Sequence, residues 1–325
     1  MNFLSITNAD DRKRKSNEIE KAEQDLIISD SWKDYEVIDA SGGEKLERWG
    51  DYILVRPDPQ VIWDTPKKDP RWHKPNGHYY RSDKGGGHWE FNALPEEWQI
   101  SLDSLRFNLK PFSFKHTGLF PEQAANWAYA ADIIKARKLQ GRNTKVLNLF
   151  AYTGGATISA AKAGAHVTHV DASKGMVGWA KENAVSSGIP HESCRWIVDD
   201  CRKFAEREIR RGSKYDAVIL DPPSYGRGPK GEIWKMEENI FDFLGLVAGL
   251  LSDDPAFIIL NSYTTGLQPA VLSYMMSTIM KDRSDGTVKA DEVGLPITES
   301  GLVLPCGATC RWSTAQCNCS EPSGF

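Results

Sequence analysis

The 325-residue chain is 40% hydrophobic and 26% charged, which fits one large globular domain with a smaller companion and excludes coiled-coil, collagen-like and wholly disordered classes. Its formal net charge of −4 offers no whole-chain attraction to nucleic acid, so any such partner must be met by a local patch. The longest apolar stretch, FLGLVAGLL at 243–251, is too short to span a bilayer, and the chain opens on charged residues instead of an apolar signal core. A soluble, cytoplasmic protein is expected. Six cysteines suit a reducing compartment. Cys194 and Cys201 fall inside periodic segments, and the C-x3-C-x6-C-x-C run of Cys306, Cys310, Cys317 and Cys319 is no standard zinc spacing, so no metal is expected.

In chain order, residues 1–30 are polar and charged and predict a flexible lead-in. From 31 to 115 short β-like pieces, YEVIDA and YILVRP, alternate with Pro, Gly and Asp, predicting a small β-rich domain. Trp63, Trp72, Trp89 and Trp98 are expected in its core more than on an RNA-stacking face. The SDKGGGHWEF run at 82–91 reads as a hairpin turn or a loop over a site, and His73, His78 and His88 as surface histidines. From 116 to 325 helices and strands alternate, beginning with a helix whose first turn suits Pro121. The strands are VLNLF (146–150), HVTHVD (166–171), CRWIVDD (194–200), YDAVILD (215–221) and FIILNSY (257–263). Continuous apolar strands spaced by helices imply a parallel sheet covered on both faces, so the class is α/β, doubly wound.

Ligands in such a sheet bind beyond the carboxyl ends of the strands. The first strand is followed by AYTGGATISAA, where Gly154 and Gly155 permit a tight turn close to a ligand before a helix N-terminus. The second ends in Asp171, about 17 residues after the glycines, a spacing at which a carboxylate can accept from both hydroxyls of a ribose. The third ends in Asp199 and Asp200 and the fourth in Asp221, which opens D-P-P-S-Y. Consecutive prolines fix the backbone, remove two N–H donors and leave carbonyl oxygens to accept from a nucleobase amine; Tyr225 offers a ring for an extruded base. A nicotinamide-dependent oxidoreductase would share the Gly-rich turn and the acid, and an RNA-binding module without catalysis is a third reading. Arg227, Lys230 and Lys235 after the motif suit either a phosphate-contacting loop or a solvated face.

Taken together, NLFAYTGG, DPPSY and HTGLFPEQAAN (116–126) resemble the class I S-adenosylmethionine-dependent methyltransferases, and among them the large-subunit ribosomal RNA methyltransferases. The resemblance runs from about 115 to 313 and implies a mostly parallel, seven-stranded Rossmann-like sheet, S-adenosyl-L-methionine as cofactor and RNA as partner. It also implies that Asn148, Thr153 and Gly154 line the methionine part, with Phe120, Gln123 and Asn126 closing that end and Tyr152 and Gly155 also binding the cofactor. Asp171 and Ala172 would meet the ribose, Asp200 and Cys201 the adenine side, and Asp221 both cofactor and acceptor. Asp221, Pro222, Pro223 and Tyr225 are the expected catalytic group. Cys201 also reads as a packing residue. Asn148 stands where the wider superfamily often carries an acid. Relatives that methylate C5 of cytosine carry a nucleophilic cysteine after the fifth strand, whereas this chain has Asn261, Ser262 and Tyr263 there and no cysteine in DPPSY. Transfer to a nucleobase nitrogen is therefore expected, with C5-cytosine transfer as the alternative.

Overall fold

The computed structural model describes residues 26–82, 86–112, 114–227, 233–283 and 286–314. Most of the expected lead-in, residues 83–85, Lys230, the Arg227 side chain, Cys317 and Cys319 lie outside them. The N-terminal part contributes β1 (Ile27–Ile28), β2 (Tyr35–Ser41), β3 (Glu44–Trp49), β4 (Tyr52–Pro57), β5 (Gly77–Arg81), β6 (Gly87–Phe91), β7 (Trp98–Leu102) and β8 (Leu105–Leu109). Then follow α1 (Ala124–Leu139), β9 (Lys145–Leu149), α2 (Gly155–Ala163), β10 (His166–Asp171), α3 (Lys174–Ser186), β11 (Cys194–Val198), α4 (Cys201–Arg210) and β12 (Ala217–Leu220). A short hairpin of β13 (Tyr225–Arg227) and β14 (Ile233–Lys235) leads to α5 (Met236–Ala248), β15 (Phe257–Ser262), α6 (Pro269–Ile279), β16 (Gly286–Pro296) and β17 (Val303–Thr314).

The main sheet has the order β1-β16-β17-β15-β12-β9-β10-β11. It is parallel except where β17 runs antiparallel to β15 and β16. All five strands expected from the apolar runs are present within a residue or two. The eighth strand is the departure: Ile27 and Ile28 come from the expected lead-in and pair in parallel with Val293 and Gly294. Ser29 follows them into the core, donating from Oγ to the Glu122 carbonyl and accepting from the Ala125 amide, so the start of α1 is pinned to this edge.

Period-2 alternation sorts side chains to two cores. Val146, Ala217, Ile219, Phe257 and Ile259 face one, packed by α1 and α2. Leu147, Leu149, Val218, Leu220, Ile258 and Leu260 face the other, packed by α4, α5 and α6. Burial of an aliphatic side chain of this kind contributes about 1.5–3 kcal/mol, and neither face of these strands is open to water. The N-terminal β-rich part has one small cluster of its own, Ile38, Leu46, Val55 and Trp72, and shares the rest of its core. Val37, Trp49, Trp98, Ile100 and Phe107 belong to the same cluster as Ile133 and Val146. Trp72 and Trp98 are buried, while Trp63 and Trp89 pack half-buried against that core. Among the described residues no helix is long and apolar enough to cross a membrane.

Candidate active site

Strand order reverses at β9, with β10 and β11 on one side and β12 and β15 on the other, so the crevice opens beyond the carboxyl ends of β9 and β12. The loop leaving β9 is strained. Phe150 (φ 56°), Tyr152 (φ 50°) and Gly154 (φ 84°) all lie in the left-handed region, and for the two aromatic residues this costs on the order of 1–3 kcal/mol each. Packing holds them there: the Phe150 ring sits 5.2 Å from Trp234, the Tyr152 ring 5.5 Å from Phe120. Two amides are fixed as well, Phe150 N–H on Cys201 Sγ (3.2 Å) and Tyr152 N–H on Asp171 Oδ2 (2.9 Å). Gly154 fits the turn because only glycine takes its φ without penalty. Gly155, read as room for a ligand, instead makes room for the protein's own Trp127, whose ring lies 2.4 Å from where a Cβ would stand.

A narrow cavity of about 50 Å³ lies at this point. Phe120, Gln123, Asn126, Asn148, Tyr152, Thr153, Gly155 and Asp221 all line it, so eight of the residues singled out from the sequence come together. Several have their hydrogen bonds committed to the protein. Thr153 Oγ1 donates to the Gly118 carbonyl at 2.6 Å, which ties down the segment before α1. Asn148 Nδ2 donates to Thr157 Oγ1, and Thr157 in turn meets His169 Nδ1, both at 2.9 Å. Burial pushes His169 down to about 3, so its ring is neutral. Gln123 Oε1 accepts from Asn126 (2.9 Å) and Asn261 (3.0 Å), and Gln123 Nε2 donates to the Tyr263 hydroxyl (2.7 Å). Arg311 Nε donates to Asn126 Oδ1 at 2.8 Å, which fixes the orientation of the whole amide cluster.

Asp221 is the chemically unusual member. It stands partly exposed at the end of β12, and desolvation, helped by the neighbouring Glu122 carboxylate, pushes its carboxyl up to about 7. Glu122 is itself buried and raised, chiefly by desolvation, with Lys45 opposing the rise and a Tyr263 hydrogen bond assisting its charged form. Sequence reasoning quoted Glu122 inside HTGLFPEQAAN without assigning it, and took Asn261 and Tyr263 only as the absence of a thiol. The position of Asn261 at the carboxyl end of β15, with Tyr263 just past it, is the signal that marks those two.

Other expected residues sit outside the cavity lining. Asp171, at the end of β10, accepts from the amides of Tyr152 and Ser173 (2.9 and 2.8 Å), yet burial still raises its carboxyl. Ala172 beside it is exposed. Asp200 caps α4 by accepting from the Lys203 amide through Oδ1 (2.9 Å). Cys201 is buried, with its thiol between the Phe150 amide and the Val170 carbonyl and its pKa driven up by burial, which is the geometry of a packing residue. In the DPPSY motif Pro222 is buried, and the Pro223 carbonyl already accepts from Trp234 Nε1 at 2.7 Å, so that oxygen is not the open acceptor expected of it. Tyr225 pairs with Lys235 in the hairpin and is 51% exposed.

These residues fit a cofactor that contains a nucleoside. Asp171 has no cation partner among the described residues and presents a desolvated carboxylate, for which the two hydroxyls of a ribose are suitable donors. The profile of the S-adenosylmethionine-dependent methyltransferase family matches residues 37–235. A crystal structure of a SAM-dependent methyltransferase from Agrobacterium tumefaciens is similar at 37% identity and a TM-score of 0.81, covering 89% of this chain and 93% of that one. The ribosomal RNA large subunit methyltransferase K/L of Shewanella frigidimarina is 32% identical over 159 residues, 48% of this chain and 21% of that protein. The chain thus spans about a fifth of the length of that curated relative. The chain belongs to the S-adenosylmethionine-dependent methyltransferase family. Its cofactor is S-adenosyl-L-methionine, and the nicotinamide reading falls away.

Proposed function

We propose that the protein transfers a methyl group to a nucleobase nitrogen in RNA, with ribosomal RNA, the substrate named for the Shewanella relative, as the acceptor. Phe120, Tyr152 and the Gln123–Asn126–Asn261 amides would enclose the methionine end, Asp171 and Ala172 the ribose, and Asp200 the adenine amine through its uncommitted Oδ2. Bound S-adenosylmethionine supplies an electrophilic methyl on a sulfonium, and the protein's task is to align and deprotonate the acceptor.

The observation that carries this reading is Asp221. Its carboxylate stands on the cavity wall with a pKa of about 7, so near neutral pH it can accept the N–H of a nucleobase amine and take the proton released when that nitrogen is methylated. Desolvation is the main cause of that basicity, and the Glu122 carboxyl, raised as well, adds to it. Tyr225 and the Pro222 carbonyl hold the base in place. C5 transfer needs a thiolate, and no cysteine is among the residues lining the cavity. Burial pushes Cys194 and Cys310 up to about 12 and Cys201 and Cys306 well above their ordinary value. The test is incubation with cofactor and RNA carrying 5-fluorocytidine. Methyl transfer without a denaturation-stable protein–RNA adduct supports nitrogen as acceptor, whereas an adduct lost on mutating one cysteine restores the C5 reading.

A further inference from the structure

The β5–β6 hairpin and the segment after β8 bring together apolar rings that stay exposed, although Phe112 reaches Trp179 of α3 (centroids 6.4 Å apart). Phe91 is 57% exposed, Phe114 55% and Phe112 38%. They form one patch. Trp89 stacks on Phe91 (centroids 5.9 Å apart, planes within 12°), and its Nε1–H is shared between the carbonyls of Phe112 (3.0 Å) and Phe114 (3.1 Å). A contiguous group of exposed rings is a candidate binding surface, unlike apolar side chains exposed singly.

The two faces of the hairpin differ in charge. On one, His78 stacks on Tyr80 and Tyr80 on His88, with Glu44 bonded to His78 and Glu90 near His88. On the other, the register places Arg81 with Tyr79, Trp89 and Phe91. Lys115, next to Phe114, lies close enough to Lys45, Arg56 and Arg81 for their charges, after burial, to help lower it to about 8, with Asp58 as the opposing acid. Lys45 is paired with Glu47 and Asp58, Arg56 is paired with Glu47, and Lys115 Nζ donates to the Pro57 carbonyl at 3.0 Å, so the exposed cation at the margin of the ring patch is Arg81, with Lys115 beside it.

The patch is also continuous with the active site. The chain doubles back from β8, with Lys110 N–H on the Thr117 carbonyl and Phe112 N–H on the His116 carbonyl. The His116 ring then lies 5.3 Å from Phe120, a cavity residue, and Phe120 lies 5.9 Å from Tyr263.

We propose that Phe91, Phe112 and Phe114, with Arg81 and Lys115 at their edge, form a platform on which unpaired nucleotides flanking the acceptor stack while that base is held at Asp221. This rests on the RNA reading above. Sequence-tolerant stacking on aromatic rings beside a positive groove is how single strands are held.

The test uses the full chain with S-adenosylhomocysteine and a fluorescent, unstructured oligoribonucleotide of about 12 nucleotides, followed by anisotropy. Phe91→Ala with Phe114→Ala should weaken binding roughly 10- to 100-fold, at unchanged melting temperature and unchanged S-adenosylhomocysteine affinity by calorimetry. Arg81→Ala should lower the slope of log affinity against log salt by about one. Wild-type binding that the double variant leaves intact overturns the platform and spares the RNA reading. A wild type that neither binds nor methylates any RNA overturns both. A dimer in sedimentation that the double variant converts to monomer, with RNA affinity unaffected, assigns the face to contact between copies and also overturns the proposal.

Discussion

Asp221→Asn should make the protein more stable and less active. The carboxyl is moved from an ordinary 3.8 up to about 7 by desolvation and by Glu122, so the folded chain holds this proton more tightly than the unfolded chain. Between about pH 4 and 7 the folded state binds more protons, and stability falls as pH rises. Above 7 both states are ionised and the penalty is complete. At about 1.4 kcal/mol per pH unit it amounts to at most about 4 kcal/mol, and water reaching the cavity reduces it to roughly 1–2 kcal/mol. The amide keeps the shape and loses the charge. Urea unfolding of Asp221→Asn should therefore show a higher midpoint than wild type at pH 8 and no gain at pH 4. Single-turnover methyl transfer should fall about 10²- to 10⁴-fold, the range for a lost general base, while the wild-type rate rises with pH through about 7. Equal midpoints at both pH values would show that the carboxyl is not destabilised by its site. A variant that keeps its rate and its pH profile would remove Asp221 from proton transfer.

Asp171→Ala should weaken binding of S-adenosylhomocysteine about 10- to 100-fold in calorimetry, the loss expected for charge-assisted hydrogen bonds of about 1.5–3 kcal/mol. Tyr225→Ala, at an exposed hairpin position, should depress turnover on RNA and leave cofactor affinity within a few-fold; equal loss of both would give its ring to the cofactor or the fold. Gly155→Ala forces a Cβ toward the Trp127 ring and should lower the denaturation free energy by about 1–3 kcal/mol, and an unchanged midpoint would mean that Trp127 moves aside freely.

The sheet was legible because its strands are short apolar runs of β-branched and aliphatic residues, each cut off by an acid or a turn, and that pattern survives burial on both faces. Ile27–Ile28 was not, since two residues carry no period and only the edge of β16 makes them a strand. The motif residues at the carboxyl ends of β9 and β12 converge as the spacing suggested. What spacing cannot report is how their polar atoms are spent: Thr153 bonds the backbone at Gly118, Asp200 caps its own helix, and Pro223 is taken by Trp234. Glu122 escaped notice because a lone glutamate after a proline reads as helix-start chemistry. Only its burial against Tyr263 and Asp221 turns it into part of the site. The β-rich part read as a separate domain because Pro, Gly and Asp break it into pieces; Trp72 packs in a cluster within it, while Trp49, Trp98 and Phe107 pack into the core shared with α1.

The central claim is a methyl group delivered to a nucleobase nitrogen of RNA through Asp221 without a covalent enzyme–base intermediate. The most direct measurement is mass spectrometry of nucleosides from ribosomal RNA of cells lacking the gene, after incubation with the protein and methyl-deuterated S-adenosylmethionine. The label is predicted in an N-methylated nucleoside, and Asp221→Asn should abolish it. Label recovered in 5-methylcytidine, or in no RNA nucleoside at all, would contradict the account.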